Sequence, residues 1–292
     1  MEPANRNCRI LRRLREERKS KPVSIGCSVH ILYPVLMKDI PWNPWHGCHP
    51  FSAGCKNCFM RRADLRHGRN PDQITRSVTM FDLPLKRKQD GSRKIPAGAQ
   101  MSVCFNSDFF VEEADPWRQE AWDIIRQRPD VQFLIPTKRI HRVRDCLPPD
   151  WNGGWPQVTI AVSIENRQAA QSRLGLFLTI PCRHRYIFAA PLLEELNLYP
   201  WLKTRGFELV SAAGESGLEA RPCDFDWMEQ LFLDCRRTGT AFSIHQTGRY
   251  FIRNGRLYTI RKQDQFQQAH KAHSWLRKKH RLQQTSLFED AA

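Results

Sequence analysis

The feature that most narrows the fold is an alternation. From residue 100 to residue 248, short apolar runs are followed by helical patterns: QMSVCFNSDFF then PWRQEAWDIIRQRP, VQFLIPTKR then IHRVRDCL, VTIAVSIEN then RQAAQSRLGLFLTI. RYIFAAPLLEEL, FELVSAAGESG with DFDWMEQLFLDCRRTG, and TAFSIHQTG continue it. Apolar strands fed through helices pair in parallel through right-handed crossovers. The expected fold is therefore α/β, a partial or complete parallel (β/α) barrel. At 292 residues and 41% hydrophobic content, the chain can bury one such core. The expected division is a basic N-terminal arm over 1–35, a barrel over 36–248, and a hairpin, basic helix and tail over 249–292.

Barrels of this kind carry their chemistry at the carboxyl ends of the strands. The polar residues there are Asn106, Ser107 and Asp108; Thr137, Lys138 and Arg139; Ser163, Glu165 and Asn166; Glu215 and Ser216; His245 and Gln246. Their recurrence after successive apolar strands is hard to explain by core packing, although any one of them suits a helix cap or a turn.

Ahead of the alternation, residues 42–60 read WNPWHGCHPFSAGCKNCFM. Glycines and prolines break regular structure there, so a loop presents Cys48, Cys55 and Cys58 together. Clustered thiols suit zinc or an iron–sulfur cluster. Zinc normally takes four ligands, and a fourth from His46 or His49 is awkward so close to Cys48. Three cysteines on a cubane leave one iron open to a small molecule. Ordinary buried thiols are the remaining alternative, and the residues alone leave all three open. The other cysteines are scattered singly, and in apolar stretches cysteine behaves as a small hydrophobe.

WNPWHGC…SAGCKNCF resembles the phage-associated three-Cys-motif family of unknown function, which in turn is similar to divergent radical S-adenosylmethionine (SAM) enzymes. The match extends over 42–248 through Asn106-Ser107-Asp108, Thr137-Lys138-Arg139, Val162-Ser163 with Glu165-Asn166, Pro191-Leu192-Leu193, and Gly214-Glu215-Ser216-Gly217. The resemblance implies a [4Fe–4S] cluster on Cys48, Cys55 and Cys58, with SAM chelating the open iron and yielding a 5′-deoxyadenosyl radical. It implies cofactor contacts from Asp108, Ser163, Glu165, Glu215 and Phe59. The first cysteine gap is longer than the radical SAM spacing, and Asn57 stands where an aromatic residue precedes the third cysteine. Ala190 replaces the family's Glu before Pro191, and Ala213-Gly214 and His245-Gln246-Thr247-Gly248 also depart. Those departures fall on substrate contacts rather than on the cluster.

The net charge of +16 favours a polyanionic partner, DNA or RNA, through counterion release. Basic residues concentrate in the arm over 8–21, in the expected helix FMRRADLRHGR with Arg61, Arg62 and Arg66, at Lys138 and Arg139, and at Lys278 and Lys279. RYFIRNGRLYTI reads as a hairpin turning at Asn254-Gly255, and QFQQAHKAHSWLRKKHRLQQ as a basic helix. Its histidines suit a solvated face better than a metal. The tail carries Gln284, Leu287 and Phe288 in a pattern similar to the peptide that docks on the bacterial DNA sliding clamp. No apolar run reaches membrane-spanning length and the N-terminus lacks a secretory pattern, so the expectation is a cytoplasmic protein with no membrane partner.

Three functions follow. The first is a radical SAM-like [4Fe–4S] enzyme that modifies or repairs nucleic acid, DNA favoured. The second is a non-catalytic nucleic-acid-binding protein with a structural Zn or Fe–S site. The third is a radical enzyme acting on a peptide or protein.

Overall fold

The computed structural model describes residues 39–289, with side chains described as far as Arg281. The basic arm lies outside the described residues. The rest belongs to one compact unit, Leu36–Ala292.

Seven strands form the central sheet: β1 Ile40–Trp42, β2 Gln100–Val103, β3 Gln132–Thr137, β4 Val158–Ile164, β5 His184–Ala189, β6 Leu209–Ala213 and β7 Ala241–Gln246. They lie in sequential order, and every neighbouring pair is parallel. Sequential order with crossovers of one hand places the connecting helices on one face, and strand twist curls the sheet around the other. The sheet is open, with β1 and β7 as its edges. The fold is thus the partial form of the expected parallel barrel.

The strands read as they do because both faces are covered. All but one residue of β4 is buried, the near-continuous apolar run expected of a central parallel strand. Helices are punctuated by local chemistry. α1 is Phe59–Arg66, α2 Asp115–Arg126, α3 Ile140–Val143, α4 Arg167–Thr179, α5 Tyr199–Leu202, α6 Phe225–Thr238 and α7 Gln265–Glu289. Asn166 caps α4 by accepting from the Ala169 amide at 2.8 Å, and Asp224 caps α6 through the Asp226 amide at 3.0 Å. Gly239, left-handed at φ 75°, ends α6.

The core is aromatic at its β1–β3 end. Trp42 meets Phe133 edge-on at 5.7 Å, and Phe109 lies between Trp45 and Trp122, 5.1 and 4.8 Å away. The buried Trp42 indole N–H donates to the carbonyls of Met80 and Phe81. Cys104, Cys182, Cys223 and Cys235 are buried free thiols, and burial pushes Cys182 up to about 11. They pack as the small hydrophobes the sequence suggested.

Residues Tyr250–Arg253 and Arg256–Thr259, here β8 and β9, pair as the expected hairpin, with Asn254 and Gly255 both at positive φ. Phe251 is buried 5.9 Å from Phe225, so this ring pins the hairpin to the barrel and is closed to a nucleobase. α7 packs on β7 and runs through Gln284, Leu287 and Phe288. The backbone expected as a loose tail is therefore helical, and the side chains of that clamp-like peptide lie outside the described residues.

Candidate functional site: a thiol loop clamped across the strand ends

The loop carrying the three cysteines follows β1 and is held by the carboxyl ends of four other strands. After β2, Ser107 Oγ donates to the Gly47 carbonyl at 2.5 Å. After β3, Arg139 donates to Cys48 Sγ at 3.6 Å and to the His49 carbonyl at 3.2 Å. After β4, Glu165 accepts from the Gly54 amide at 3.3 Å. After β6, Glu215 accepts from Asn57 Nδ2 at 2.9 Å, while Arg221 donates to the Ala53 carbonyl at 3.0 Å. Arg61, on α1, closes the loop from its own side by donating to the Cys48 carbonyl at 2.9 Å.

The three strand-end acids carry this clamp, and each has its oxygens engaged. Asp108 accepts from Thr137 Oγ1 at 2.7 Å, from the Lys138 and Phe110 amides, and from Arg139. Glu165 is fully buried and paired with Arg173 at 2.9 Å. Glu215 receives the Arg221 amide and guanidinium as well as Asn57. Burial alone would raise the carboxyls of Glu165 and Glu215. Their partners outweigh it, Ser52 and then Arg173 at the first and Arg221 at the second, and both carboxyls sit below the ordinary range. Glu165 and Glu215 grip the loop directly and Asp108 holds Arg139, so all three are aimed at protein donors.

The glycines of the Gly214–Gly217 turn serve the chain's own approach. A Cβ on Gly214 would lie 2.2 Å from the Thr247 carbonyl oxygen, where β6 and β7 end side by side. Gly217 leaves room for the Arg62 guanidinium, one of whose nitrogens is buried with no hydrogen-bond partner.

The thiols themselves are half-buried. Burial first, then Asp108, raises Cys48 to about 12 against the opposing pull of Arg139, and Cys55 adds to the rise. The Asp72 carboxylate raises Arg61, with smaller contributions from Cys58 and Cys48. The three sulfurs are carried on one loop, although among the described residues no three His, Cys, Asp or Glu side chains are drawn into metal-ion geometry. By donor chemistry and common loop they fit a soft metal centre, whose binding would displace the thiol protons.

The other expected site residues separate into two groups. Ser163 is buried in β4, its carbonyl taken by Arg173 at 2.7 Å, and Phe59 opens α1, half exposed. Among the basic residues, Arg66 and Lys278 face solvent, Lys138 is half-buried, and Lys279 pairs with Glu229 at 2.6 Å. Arg61 is taken by Asp72 at 2.5 and 2.9 Å. Arg139, only 4% exposed, is the clear correction: its guanidinium lies under the cysteine loop and is closed to a nucleic-acid backbone. Arg173, Phe51 and His141 were missed. The one signal for Arg173 was its place in the apolar-facing pattern RQAAQSRLGLF.

A family model described as a protein of unknown function (DUF5131) matches residues 35–284. No curated protein matches this chain. Among solved structures, a cysteine-to-serine mutant of spore photoproduct lyase is similar at TM-score 0.46 and 14% identity, with 89% of this chain and 76% of that one covered. A double mutant of the same enzyme with bound AdoMet and dinucleoside spore photoproduct gives TM-score 0.46 and 14% identity, over 82% of this chain and 72% of that one. The lyase complexed with dinucleoside spore photoproduct gives 0.41 and 14%, over 80% and 71%.

Proposed function

The chain belongs to this family of proteins of unknown function (DUF5131), and from the thiol loop at the mouth of its half-barrel we propose a radical SAM-like [4Fe–4S] enzyme acting on nucleic acid, DNA favoured. Within that reading it falls on the phage-associated three-Cys-motif branch. The observation that carries the proposal is the placement of Cys48, Cys55 and Cys58 on one loop pinned across the strand ends after β2, β3, β4 and β6. Structural buried thiols do not call for four separate clamps.

Cys48, Cys55 and Cys58 would hold the cluster. When bound, cluster and SAM supply reductive radical chemistry. The chain's own contribution is to fix the loop through Glu165, Glu215 and Arg139. Exposed Arg66 and Lys278, with the net charge of +16, would draw in the polymer. A target base must leave the stack, or be unpaired, to reach a buried centre.

The test is iron content and visible spectrum of protein purified without oxygen, beside Cys55→Ala, followed by 5′-deoxyadenosine release from SAM with and without DNA. Expected are an iron–sulfur spectrum lost in Cys55→Ala and DNA-stimulated release. Zinc without iron in a fully folded protein would instead support a binding protein with a structural metal. Release stimulated by peptide and indifferent to DNA would move the substrate to protein.

A further inference from the structure

We propose that the cleft between α3 and α4, beside the cysteine loop, binds one unpaired nucleotide, its base on the Phe51 ring and its phosphate on Lys138. The proposal deepens the nucleic-acid reading above and rests on it.

The cleft has a volume of about 450 Å³ and is lined by Phe51, Lys138, His141, Gln168, Ser172 and Leu176 among others. That volume lies within the range of small-ligand pockets, roughly 300–1,000 Å³. Phe51 is 41% exposed on the loop between Cys48 and Cys55, where a ring has no core to join. It stacks on the His141 imidazole at 5.4 Å between centroids, with the planes 9° apart. The Arg139 and Arg173 guanidinium carbons lie 5.3 and 5.4 Å from the same ring. A flat ring pair flanked by cations is the stacking platform that unpaired bases use, whatever their sequence.

Charge selects the same ligand. Lys138 makes no ion pair among the described residues, and its ammonium acts on Glu165 only at longer range. Glu165 is itself consumed by Arg173 and the Gly54 amide, so the cleft offers cationic capacity with no free carboxylate against it. Ser172 Oγ donates to the Ala169 carbonyl at 3.3 Å and keeps acceptor capacity, and the Gln168 amide adds both donor and acceptor at the wall. An acidic peptide would satisfy Lys138 and leave the ring pair unused. The Phe51 amide lies 3.4 Å from Cys55 Sγ, so a base held on this ring rests against the thiol loop.

The experiment uses the full chain purified without oxygen and a single-stranded oligonucleotide containing 2-aminopurine, read by fluorescence quenching and anisotropy. Phe51→Ala should weaken single-strand binding by about tenfold or more and abolish the quenching. Phe51→Trp should restore both. Lys138→Ala should lower the log–log salt slope by about 0.7, the value of one phosphate contact on a single strand. Unchanged thermal melting of each variant excludes unfolding, which the exposure of Phe51 makes a minor risk. If the wild type binds with a steep salt dependence while Phe51→Ala keeps its affinity and quenching, the cleft assignment is overturned and the nucleic-acid reading stands. Salt-independent or absent wild-type binding overturns both. Displacement by an acidic peptide at equal affinity overturns the nucleotide as ligand.

Discussion

Asn57 Nδ2 donates to Glu215 Oε2 at 2.9 Å, joining the cysteine loop to the end of β6 across 158 residues of chain. Glu215 also collects the amide and guanidinium of Arg221, which in turn reaches the Ala53 carbonyl. One carboxylate therefore fixes the loop twice, once directly and once through an arginine. Glu215→Ala should cost about 1–3 kcal/mol, because it leaves several donors without an acceptor, and Asn57→Ala should cost less. Urea denaturation of the two variants measures this. Limited proteolysis should cut residues 47–58 faster in Glu215→Ala, and unaltered midpoint and cleavage together would remove the anchor role.

Gly214 sits where the ends of β6 and β7 are closest, with its N–H donating to the Gln246 carbonyl at 3.0 Å. An added methyl group would meet backbone at Thr247, which has no rotamer to yield, whereas nothing stands within 4 Å of a Cβ on Gly153. Gly214→Ala should lower the melting temperature by several degrees, equivalent to about 1–3 kcal/mol. Gly153→Ala should be neutral or slightly stabilising, since it only restricts the unfolded chain. Calorimetry on the pair decides it, and equal melting temperatures would contradict the close approach.

Glu229 on α6 ties down α7 through Lys279 and His280, each at 2.6 Å. Burial would raise this carboxyl, but hydrogen bonds from Lys279 and His280 bring it below the ordinary glutamate value. A carboxyl with a depressed folded-state pKa stabilises fully above its unfolded value, about 4.3, and the contribution disappears as pH falls through the folded one. The stability gap between wild type and Glu229→Gln should therefore be constant above about pH 5 and close on acidification. Denaturant midpoints taken from pH 7 down to pH 3 test the sign. A gap that widens in acid would contradict it.

Lys278 and Arg139 were alike as candidate phosphate ligands in the sequence, and the fold separates them. Lys278 is exposed on α7, while Arg139 is 4% exposed and paired with Asp108 at 3.4 Å. Lys278→Ala should lower the salt slope of duplex binding by about 0.9 without moving stability. Arg139→Ala should cost about 1–3 kcal/mol, because Asp108 and the His49 carbonyl each lose a donor. Salt titration and chemical denaturation of both variants check the contrast.

The order and parallel pairing of β2 to β7 were legible because these strands are local apolar runs in a strand–helix alternation, whereas β1, three residues long, leaves no such run. The hairpin was legible for the same reason: Asn254-Gly255 is a turn signal two residues long. So was the thiol loop, where glycines and prolines mark irregular backbone and the cysteine spacing supplies the donors. The extra length of helix after Gln284 was not, because polar residues such as those of the tail fit a helix and a loose end equally well.

Composition and local pattern thus determined by themselves a basic parallel α/β protein, its barrel partial or complete, with three cysteines on one loop ahead of the strand–helix alternation. Only the tertiary structure decided that Asp108 turns inward to Arg139, that Arg139 lies beneath Cys48, that Glu165 and Glu215 grip the loop, and that Phe51 stacks on His141. Each of these contacts joins residues about 30 to 160 positions apart. Side-chain partners at such separations have no shared period along the chain. Whether a charged residue faces a phosphate or its own protein is fixed when the strands curl and bring their ends together.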